Sequence, residues 1–171
     1  GDKKCLLMLK ADGLTVELEY ENGRLIQAST RGNSIIGEDV THNAKVFKNV
    51  PLTIPYTGHL RIAGEAIIHK NDFEEINLKL PDEDKYATPR NLAAGSVRQL
   101  DSKVCSQRNV YFYAFTVLEC DEVLSDSKHE QFRWLGDQGF WTIFYMTGDM
   151  FNNIELSINR MIELAKEKFV P

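Results

Sequence analysis

The alternation of apolar and polar residues predicts a series of strands at the start of the chain. Residues 6–9 form a short, continuous apolar run of the kind found in buried strands. Every second residue from 14 to 20 is apolar, which predicts a strand with one face in the core. The pair Asn22 and Gly23 favours a tight hairpin turn into a third strand over 24–30. We therefore expect a β-meander in this region.

Helices and further strands are predicted in the rest of the chain. Asn71 with Glu74, and Asn152 with Glu155, form capping-box patterns that predict a helix after each asparagine. The aromatic run 110–118 indicates a fully buried, central strand. The other predicted elements are strands over 60–68 and 140–145 and helices over 39–44, 89–98 and 126–135. The stripe of the last helix that we expect in the core contains Ile154, Ile158, Met161, Ile162, Ala165 and Phe169.

Composition excludes several classes of protein. With 171 residues, 43% of them hydrophobic and 26% charged, the chain is typical of one soluble globular domain. The net charge of −5 gives no overall basic signature, so nucleic-acid binding would need a local patch or other domains. The chain shows neither a membrane-spanning run nor a signal-peptide layout, which predicts a cytoplasmic protein with no membrane partner. Three separated cysteines are interpreted as reduced thiols, and four scattered histidines as surface residues without metal-binding spacing.

Lys10 is the candidate nucleophile because it follows an apolar run and directly precedes a turn at Asp12 and Gly13. We expect the surrounding strands to shield this lysine partly from water, which disfavours the charged form. Only the neutral amine is nucleophilic. The alternative is a surface lysine beside an ordinary Asp-Gly turn.

Two further segments contain candidate ligand-binding residues. A loop bracketed by glycines at 32 and 37 lies between Arg31 and a helix start at Asp39, a plausible arrangement for binding a nucleotide's phosphate or sugar. Glu65 lies in mid-strand among small and apolar neighbours, so its carboxylate needs a partner. That partner is either Arg61 on the same face or a hydroxyl group of a ligand.

Two arginines flank a helix rich in small residues. Arg90 stands at its start, directly after Pro89, and Arg98 follows about two turns later. Because the guanidinium group matches the geometry of phosphate, these arginines suggest anion recognition. Solvated or salt-bridged arginines are the alternative.

Four segments in this order closely resemble the adenylation domain of bacterial NAD-dependent DNA ligases, members of the covalent nucleotidyltransferase superfamily. The segments are Lys10-Ala11-Asp12-Gly13, the block from Thr30-Arg31-Gly32 to Gly37-Glu38-Asp39-Val40-Thr41, Gly64-Glu65, and Pro89-Arg90-Asn91 with Arg98-Gln99-Leu100-Asp101. The lysine motif alone is found throughout the superfamily, whereas the second and fourth segments point to the NAD branch. The resemblance runs over 6–115 and is looser beyond. It implies an α+β fold of mainly antiparallel sheets with packed helices and a nucleotide cleft between them.

The resemblance also implies a reaction. Lys10 attacks the α-phosphorus of NAD, expels nicotinamide mononucleotide and holds AMP as a phosphoramidate. AMP then passes to the 5′-phosphate of nicked double-stranded DNA, and the neighbouring 3′-hydroxyl displaces it and seals the strand. Such an enzyme serves DNA replication and DNA repair.

Each remaining candidate residue receives a role from the same resemblance. Asp12 and Glu65 are expected near the ribose and the reacting centre, where Asp12 also helps to position Mg²⁺. Gly13 allows a close approach, and Arg31 holds the sugar and the nick end. Arg90 and Arg98 are expected to contact phosphate, either of the cofactor or of the DNA.

The chain also departs from the family pattern. Met8 stands where the family usually has a glutamate that contacts the adenine, and 33–36 is more apolar than usual. Two further motif lysines, the segment that binds the nicotinamide half, and the oligonucleotide-binding, zinc and helix-hairpin-helix regions are missing. We therefore expect residues 1–171 to be an adenylation-domain core, truncated at both ends, inactive alone and working with the other ligase domains. The alternatives are a catalytically inactive, ligase-like DNA-binding remnant and an ATP-dependent relative.

Overall fold

A computed structural model describes residues 6–31, 37–147 and 154–168. Its strands are β1 (Leu6–Met8), β2 (Leu14–Glu21), β3 (Arg24–Thr30), β4 (Leu60–Ile67), β5 (Tyr111–Cys120) and β6 (Tyr145–Thr147). Its helices are α1 (Thr41–Ala44), α2 (Lys70–Lys79), α3 (Pro89–Val97), α4 (Ser102–Gln107), α5 (Lys128–Asp137) and α6 (Ile154–Lys168). A short 3₁₀ helix spans Asp82–Asp84.

The centre of the fold is a four-stranded antiparallel sheet in the order β3-β2-β4-β5. The predicted hairpin joins β2 to β3, and Asn22 and Gly23 both have the positive φ angles that such a turn requires. The alternating pattern of β2 buries Val16, Leu18 and Tyr20, as predicted. The combination of helices with antiparallel sheets confirms the α+β fold class.

Strand β1 lies outside this sheet and pairs only with β6 among the described strands. Leu6 and Leu7 are half-buried and Met8 is exposed, so the prediction of a buried strand over 6–9 is wrong. Each strand of a two-stranded ribbon has a neighbouring strand on one edge only, so more of its surface stays exposed than in a strand inside a larger sheet. After β1 the backbone N–H of Leu9 donates to the carbonyl oxygen of Phe144, which carries the ribbon toward Lys10.

Strand β5 forms one edge of the four-stranded sheet and Leu118 in it is 40% exposed, so the prediction of a fully buried, central strand is wrong. Residues on its outer side cover it without forming a strand. Ala114 donates its N–H to the oxygen of Trp141, and its own oxygen accepts from Ile143 N–H. The predicted strand over 140–145 is therefore replaced by this contact and by the later strand β6.

Several helix starts differ from the predicted ones. Helix α2 begins at Lys70 behind an extended His69, and no side chain caps it, so the capping box at Asn71 is wrong. Helix α1 begins at Thr41 with Val40 as its N-cap, although the carboxylate of Asp39 does accept from the backbone N–H of Thr41. The short helix α4, capped by Asp101, and the start of α5 at Lys128 also differ from the expected pattern.

Helix α6 buries only part of its predicted apolar stripe. Met161 is 5% exposed, but Ile158 is 40% and Ile162 is 46% exposed. The expectation that the whole stripe is core is therefore wrong for these two isoleucines. The capping box at Asn152 and the contact of Phe169 lie outside the described residues.

The described cysteines and histidines bear out part of what was expected. Cys105 and Cys120 are free thiols, as predicted. The histidines at 59, 69 and 129 are half-buried rather than simply surface residues. Within the described ranges there is no cluster of three or more potential metal ligands. A search of the same ranges finds no helix with the length and apolarity needed to cross a bilayer.

Candidate active site

A cavity of about 470 Å³ opens beside the segment that follows β1. Its volume is in the range typical of small-molecule sites. Four charged side chains share it with one hydroxyl group and an apolar wall. The residues that line it are Met8, Leu9, Lys10, Ala11, Asp12, Thr15, Glu65, Arg90, Phe115 and Ile143.

Gly13 allows the lysine segment to lie directly against strand β4. A Cβ atom at this buried position would stand 2.1 Å from the backbone oxygen of Ala66. Only glycine therefore fits, and the close approach is to the protein's own backbone. Lys10 itself is exposed, so the expectation that strands shield it from water is wrong. An exposed amine at the wall of a cavity is accessible to a ligand.

Glu65 is held by two hydrogen bonds from the segment that follows the lysine. Its Oε1 accepts from the backbone N–H of Gly13 at 3.0 Å, and its Oε2 accepts from the hydroxyl of Thr15 at 3.0 Å. Burial raises the pKa of Glu65, while these two hydrogen bonds oppose the shift. The suggested pairing with Arg61 is wrong, because Arg61 instead contacts Glu119 at 2.8 Å on the neighbouring strand.

Arg90 connects the start of helix α3 to the same turn. Thr88 caps this helix by accepting from the N–H of Asn91, and Pro89 occupies its first position, as predicted. Arg90 Nη1 lies 3.0 Å from Asp12 Oδ1, and both side chains are largely exposed. Because exposed ion pairs contribute little free energy, a bound phosphate could readily replace Asp12 as the partner of Arg90.

Arg98 lies at the opposite end of helix α3 and does not line this cavity. Its Nε donates to Glu38 Oε2 at 2.7 Å. Close by, Asn43 Nδ2 donates to the carbonyl oxygens of Val97 and Gln99, both at 2.7 Å. The segment from Gly37 to Thr41 and the segment after α3, which the sequence analysis singled out separately, therefore pack against each other.

Comparison with known proteins shows which family carries these features. The family model described as "NAD-dependent DNA ligase adenylation domain" matches residues 2–168. The chain belongs to this family. The adenylation domain is 54% identical over 142 residues to a DNA ligase of Lachnoclostridium phytofermentans, a stretch that covers 82% of the chain and 22% of that relative. It is 50% identical over 142 residues to a DNA ligase of Ruminiclostridium cellulolyticum, again 82% of the chain and 22% of the relative.

A DNA ligase of Nitratiruptor is 46% identical over 133 residues, which is 77% of the chain and 20% of that protein. The adenylation domain therefore spans about a fifth of the length of these curated relatives. Its family is established over nearly the whole chain.

Arg31 is a candidate residue whose contacts in the adenylation domain do not indicate a defined role. It is exposed at the end of β3, and its backbone N–H donates to the oxygen of Thr15 at 3.2 Å. Its side chain is not among those that line the cavity. Residues 32–36 of the predicted glycine-bracketed loop lie outside the described residues.

Several residues that line the cavity were not predicted as site residues. Thr15 was taken only as a polar position on a half-buried strand, and Phe115 and Ile143 only as apolar strand residues. Thr15 could have been found by pairing β2 with β4, since the antiparallel register sets it directly opposite Glu65. Ile143 had no such signal, because it reaches the cavity from a segment without regular structure.

Proposed function

We propose that this domain carries out the nucleotidyltransferase step of an NAD-dependent DNA ligase, with Lys10 as the nucleophile. The observation that carries the proposal is the convergence of Lys10, Asp12, Glu65 and Arg90 on one cavity in a chain of this family. Phosphoryl transfer depends mainly on positioning and on neutralising charge. A lysine amine, two carboxylates and a guanidinium group are suited to both tasks.

The proposed reaction has two stages on the lysine. The neutral amine of Lys10 attacks the α-phosphorus of the AMP half of NAD, a phosphoramidate bond forms, and the bond to nicotinamide mononucleotide breaks. The amine loses a proton to solvent, and nicotinamide mononucleotide leaves with its phosphate. The 5′-phosphate of nicked DNA then displaces the lysine from AMP, and the 3′-hydroxyl displaces AMP to seal the strand. An exposed Lys10 suits this sequence because it must meet two different substrates.

The other residues receive roles from their chemistry and surroundings. Glu65 accepts a hydrogen bond from a ribose hydroxyl. Arg90 releases Asp12 and binds a phosphate of the nucleotide. Gly13 keeps the lysine segment against β4. Arg31 and Arg98, which lie outside the cavity wall, are proposed to contact the DNA near the nick.

The donor atoms at the cavity fit a magnesium ion. Mg²⁺ prefers oxygen ligands and usually takes one or two carboxylates together with phosphates and water. Asp12 is 76% exposed, and Arg90 engages only its Oδ1, so its Oδ2 is the proposed ligand. When bound, the ion would neutralise charge on the phosphates.

The activity of the whole protein extends this proposal beyond the 171 residues. Sealing a nick requires binding of double-stranded DNA, and the relatives are about five times longer than the matched stretch. We propose that the other domains of such a ligase supply most of the DNA-binding surface and that the protein acts in the cytoplasm in replication and repair.

Intact-mass measurement of the full-length protein tests the proposal directly. The protein is incubated with NAD and Mg²⁺ or with ATP and Mg²⁺, as wild type and as the Lys10→Ala variant. We expect an AMP-sized gain from NAD alone, and none in Lys10→Ala. The matched control is Lys79→Ala, which removes an exposed lysine at the end of α2.

Each other outcome points to a different protein. A gain from ATP instead of NAD would assign the domain to the ATP-dependent branch. No gain from either nucleotide would favour an inactive DNA-binding remnant. A gain that persists in Lys10→Ala would show that another residue is the nucleophile.

A further inference from the structure

Thr15 on β2 lies directly opposite Glu65 on the neighbouring strand β4 of the central sheet. The antiparallel register of β2 and β4 pairs the two residues directly. The hydroxyl of Thr15 donates to Glu65 Oε2 at 3.0 Å, and both side chains line the cavity that contains Lys10. Thr15 thus touches the candidate ribose acceptor while lying in the same wall as the candidate nucleophile.

We propose that Thr15 is a positioning residue that holds the Glu65 carboxylate in the orientation needed to accept a hydrogen bond from a ribose hydroxyl. This inference rests on the proposed function, because it assigns Thr15 a task in lysine adenylation. The residue acts through Glu65 and needs no contact with the reacting atoms.

The need for a second donor follows from the freedom of the glutamate side chain. The terminal torsion of glutamate is broad, so a carboxylate held at one oxygen can still rotate about that contact. The backbone N–H of Gly13 anchors Oε1 and would remain in any side-chain variant. The hydroxyl of Thr15 anchors Oε2 and fixes the plane of the group. The plane of the carboxylate therefore depends on residue 15.

The hydroxyl also affects the protonation of Glu65. Burial raises the pKa of this carboxyl group, and the hydrogen bond from Thr15 is the first of the contacts that lower it. Loss of the hydroxyl would therefore raise the pKa further, so that Glu65 becomes protonated at a higher pH. Among the described residues, Lys10, Asp12 and Arg90 share the cavity wall with this carboxylate, and Tyr113 on strand β5 is paired with Glu65 in the sheet.

The test measures the rate of lysine adenylation by NAD as a function of pH in the full-length protein. Thr15→Val keeps the shape of the side chain and its preference for strands but removes the hydroxyl. Thr15→Ser keeps the hydroxyl and is the rescue variant. Thr116→Val is the matched control, because it removes a threonine hydroxyl in the same sheet whose one hydrogen bond within the described residues is to the oxygen of Val117 at 3.4 Å.

We expect Thr15→Val to slow adenylation about tenfold near neutral pH, the size of effect expected when a hydrogen bond to a charged group is lost. Its acidic midpoint should move to higher pH, whereas Thr15→Ser and Thr116→Val should keep the wild-type profile. A slower Thr15→Val enzyme with an unchanged pH profile would indicate a merely structural role and overturn the proposal. Equal rates in Thr15→Val and wild type would also overturn it.

Two further measurements keep the result interpretable. Circular dichroism and Tm establish that each variant is folded, and Thr15→Ala provides a second hydroxyl-free variant if Thr15→Val does not fold. If the wild-type protein is not adenylated by NAD at all, the proposed function itself fails and this inference falls with it. If the wild type is adenylated and only the Thr15 expectations fail, the proposed function stands without Thr15.

Discussion

The two ends of helix α3 each present an arginine to a carboxylate, but in different surroundings. Arg90, at the start, pairs with Asp12 and lines the cavity that contains Lys10. Arg98, at the end, pairs with Glu38 and lies apart from that wall. The same residue type on one short helix therefore serves two separate surfaces. On the basis of this difference we propose that Arg90 binds nucleotide phosphate and Arg98 binds DNA phosphate.

The two ends also differ in how firmly they are attached. Arg90 and Asp12 form an exposed ion pair that water and salt weaken. Beside Arg98, the fully buried Asn43 binds two carbonyl oxygens at the end of the helix. Both ion pairs are exposed, so either arginine side chain can exchange partners, while Asn43 holds the backbone beside Arg98 in place. The first property suits a side chain that must release a carboxylate to bind a nucleotide.

The largest predicted effect separates the two arginines. We expect Arg90→Ala to slow adenylation of Lys10 by about a hundredfold, because it removes a donor that stabilises developing charge on phosphate. Arg98→Ala should leave adenylation nearly unchanged and instead slow the sealing of a nick that already carries AMP. Intact mass reports the first step, and gel analysis of pre-adenylated nicked DNA reports the second.

This comparison breaks if both variants lose adenylation to the same extent. In that case Arg98 would act on the nucleotide as well, and the separation of surfaces along α3 would have no functional meaning.

A stability effect is predicted at the firmly attached end. Asn43→Ala leaves the oxygen of Val97 without its amide donor, so we expect unfolding free energy to fall by about 2 kcal/mol. For a domain of this size the corresponding fall in the Tm of the adenylation-domain transition is about 6 °C. Calorimetry of the full-length protein measures it, with the exposed Asn71→Ala as the control. An unchanged Tm in Asn43→Ala would mean that the amide does not anchor the helix end.

A smaller and pH-dependent effect is predicted at the cavity end. Burial raises the pKa of Glu65 above its ordinary value of 4.5. The protonated carboxyl group therefore makes its full contribution to the free energy of unfolding at pH values below 4.5. This contribution is lost as pH rises through the raised folded-state pKa. The difference in Tm between Glu65→Gln and wild type should therefore shift in favour of the variant as pH rises from low to neutral values, while the substitution abolishes adenylation.

The matched control has the opposite sign. Lys79 lowers the pKa of the exposed Glu75, so Glu75→Gln should slightly lower Tm at neutral pH. If the Tm of Glu65→Gln relative to wild type does not rise between low and neutral pH, the view that burial of the charged carboxylate costs stability is contradicted.

The smallest predicted effect concerns Glu38. Removing one carboxylate of an exposed ion pair in Glu38→Gln should change the free energy of unfolding by less than about 1 kcal/mol. Adenylation should stay at the wild-type rate, whereas nicked DNA should bind slightly more tightly at low salt because one negative charge is gone. Titration of nicked DNA at two salt concentrations checks this. A loss of adenylation would tie Glu38 to the nucleotide cavity.

Local pattern predicted the parts of the fold that depend on neighbouring residues. The turn at Asn22 and Gly23 and the buried face of β2 follow from turn chemistry and alternation, and both are confirmed. The position of β5 could not be predicted, since its aromatic run is also compatible with an edge strand covered by residues 141–143. The capping box at Asn71 failed because the chain already enters the helix at Lys70.

The candidate site also contains some residues that the sequence could predict and others that it could not. The motif resemblance indicated Lys10, Glu65 and Arg90, and all three line one cavity. The hydrogen-bond partners of Glu65 could not be predicted from the sequence. Arg61 is nearer along the chain, but it pairs with carboxylates on the two adjacent strands. Thr15 required the strand register, which single-strand patterns do not contain.

The contact at Gly13 has a consequence for how this protein can change. In a saturation library at position 13, every side chain would begin with a Cβ atom inside the backbone of Ala66, which cannot move aside without distorting β4. Selection for activity should therefore return glycine alone at this codon, while position 11, where Ala11 is only half-buried, should accept several residues. The evolutionary freedom around the proposed nucleophile is therefore limited by the backbone behind it as well as by the substrate in front of it.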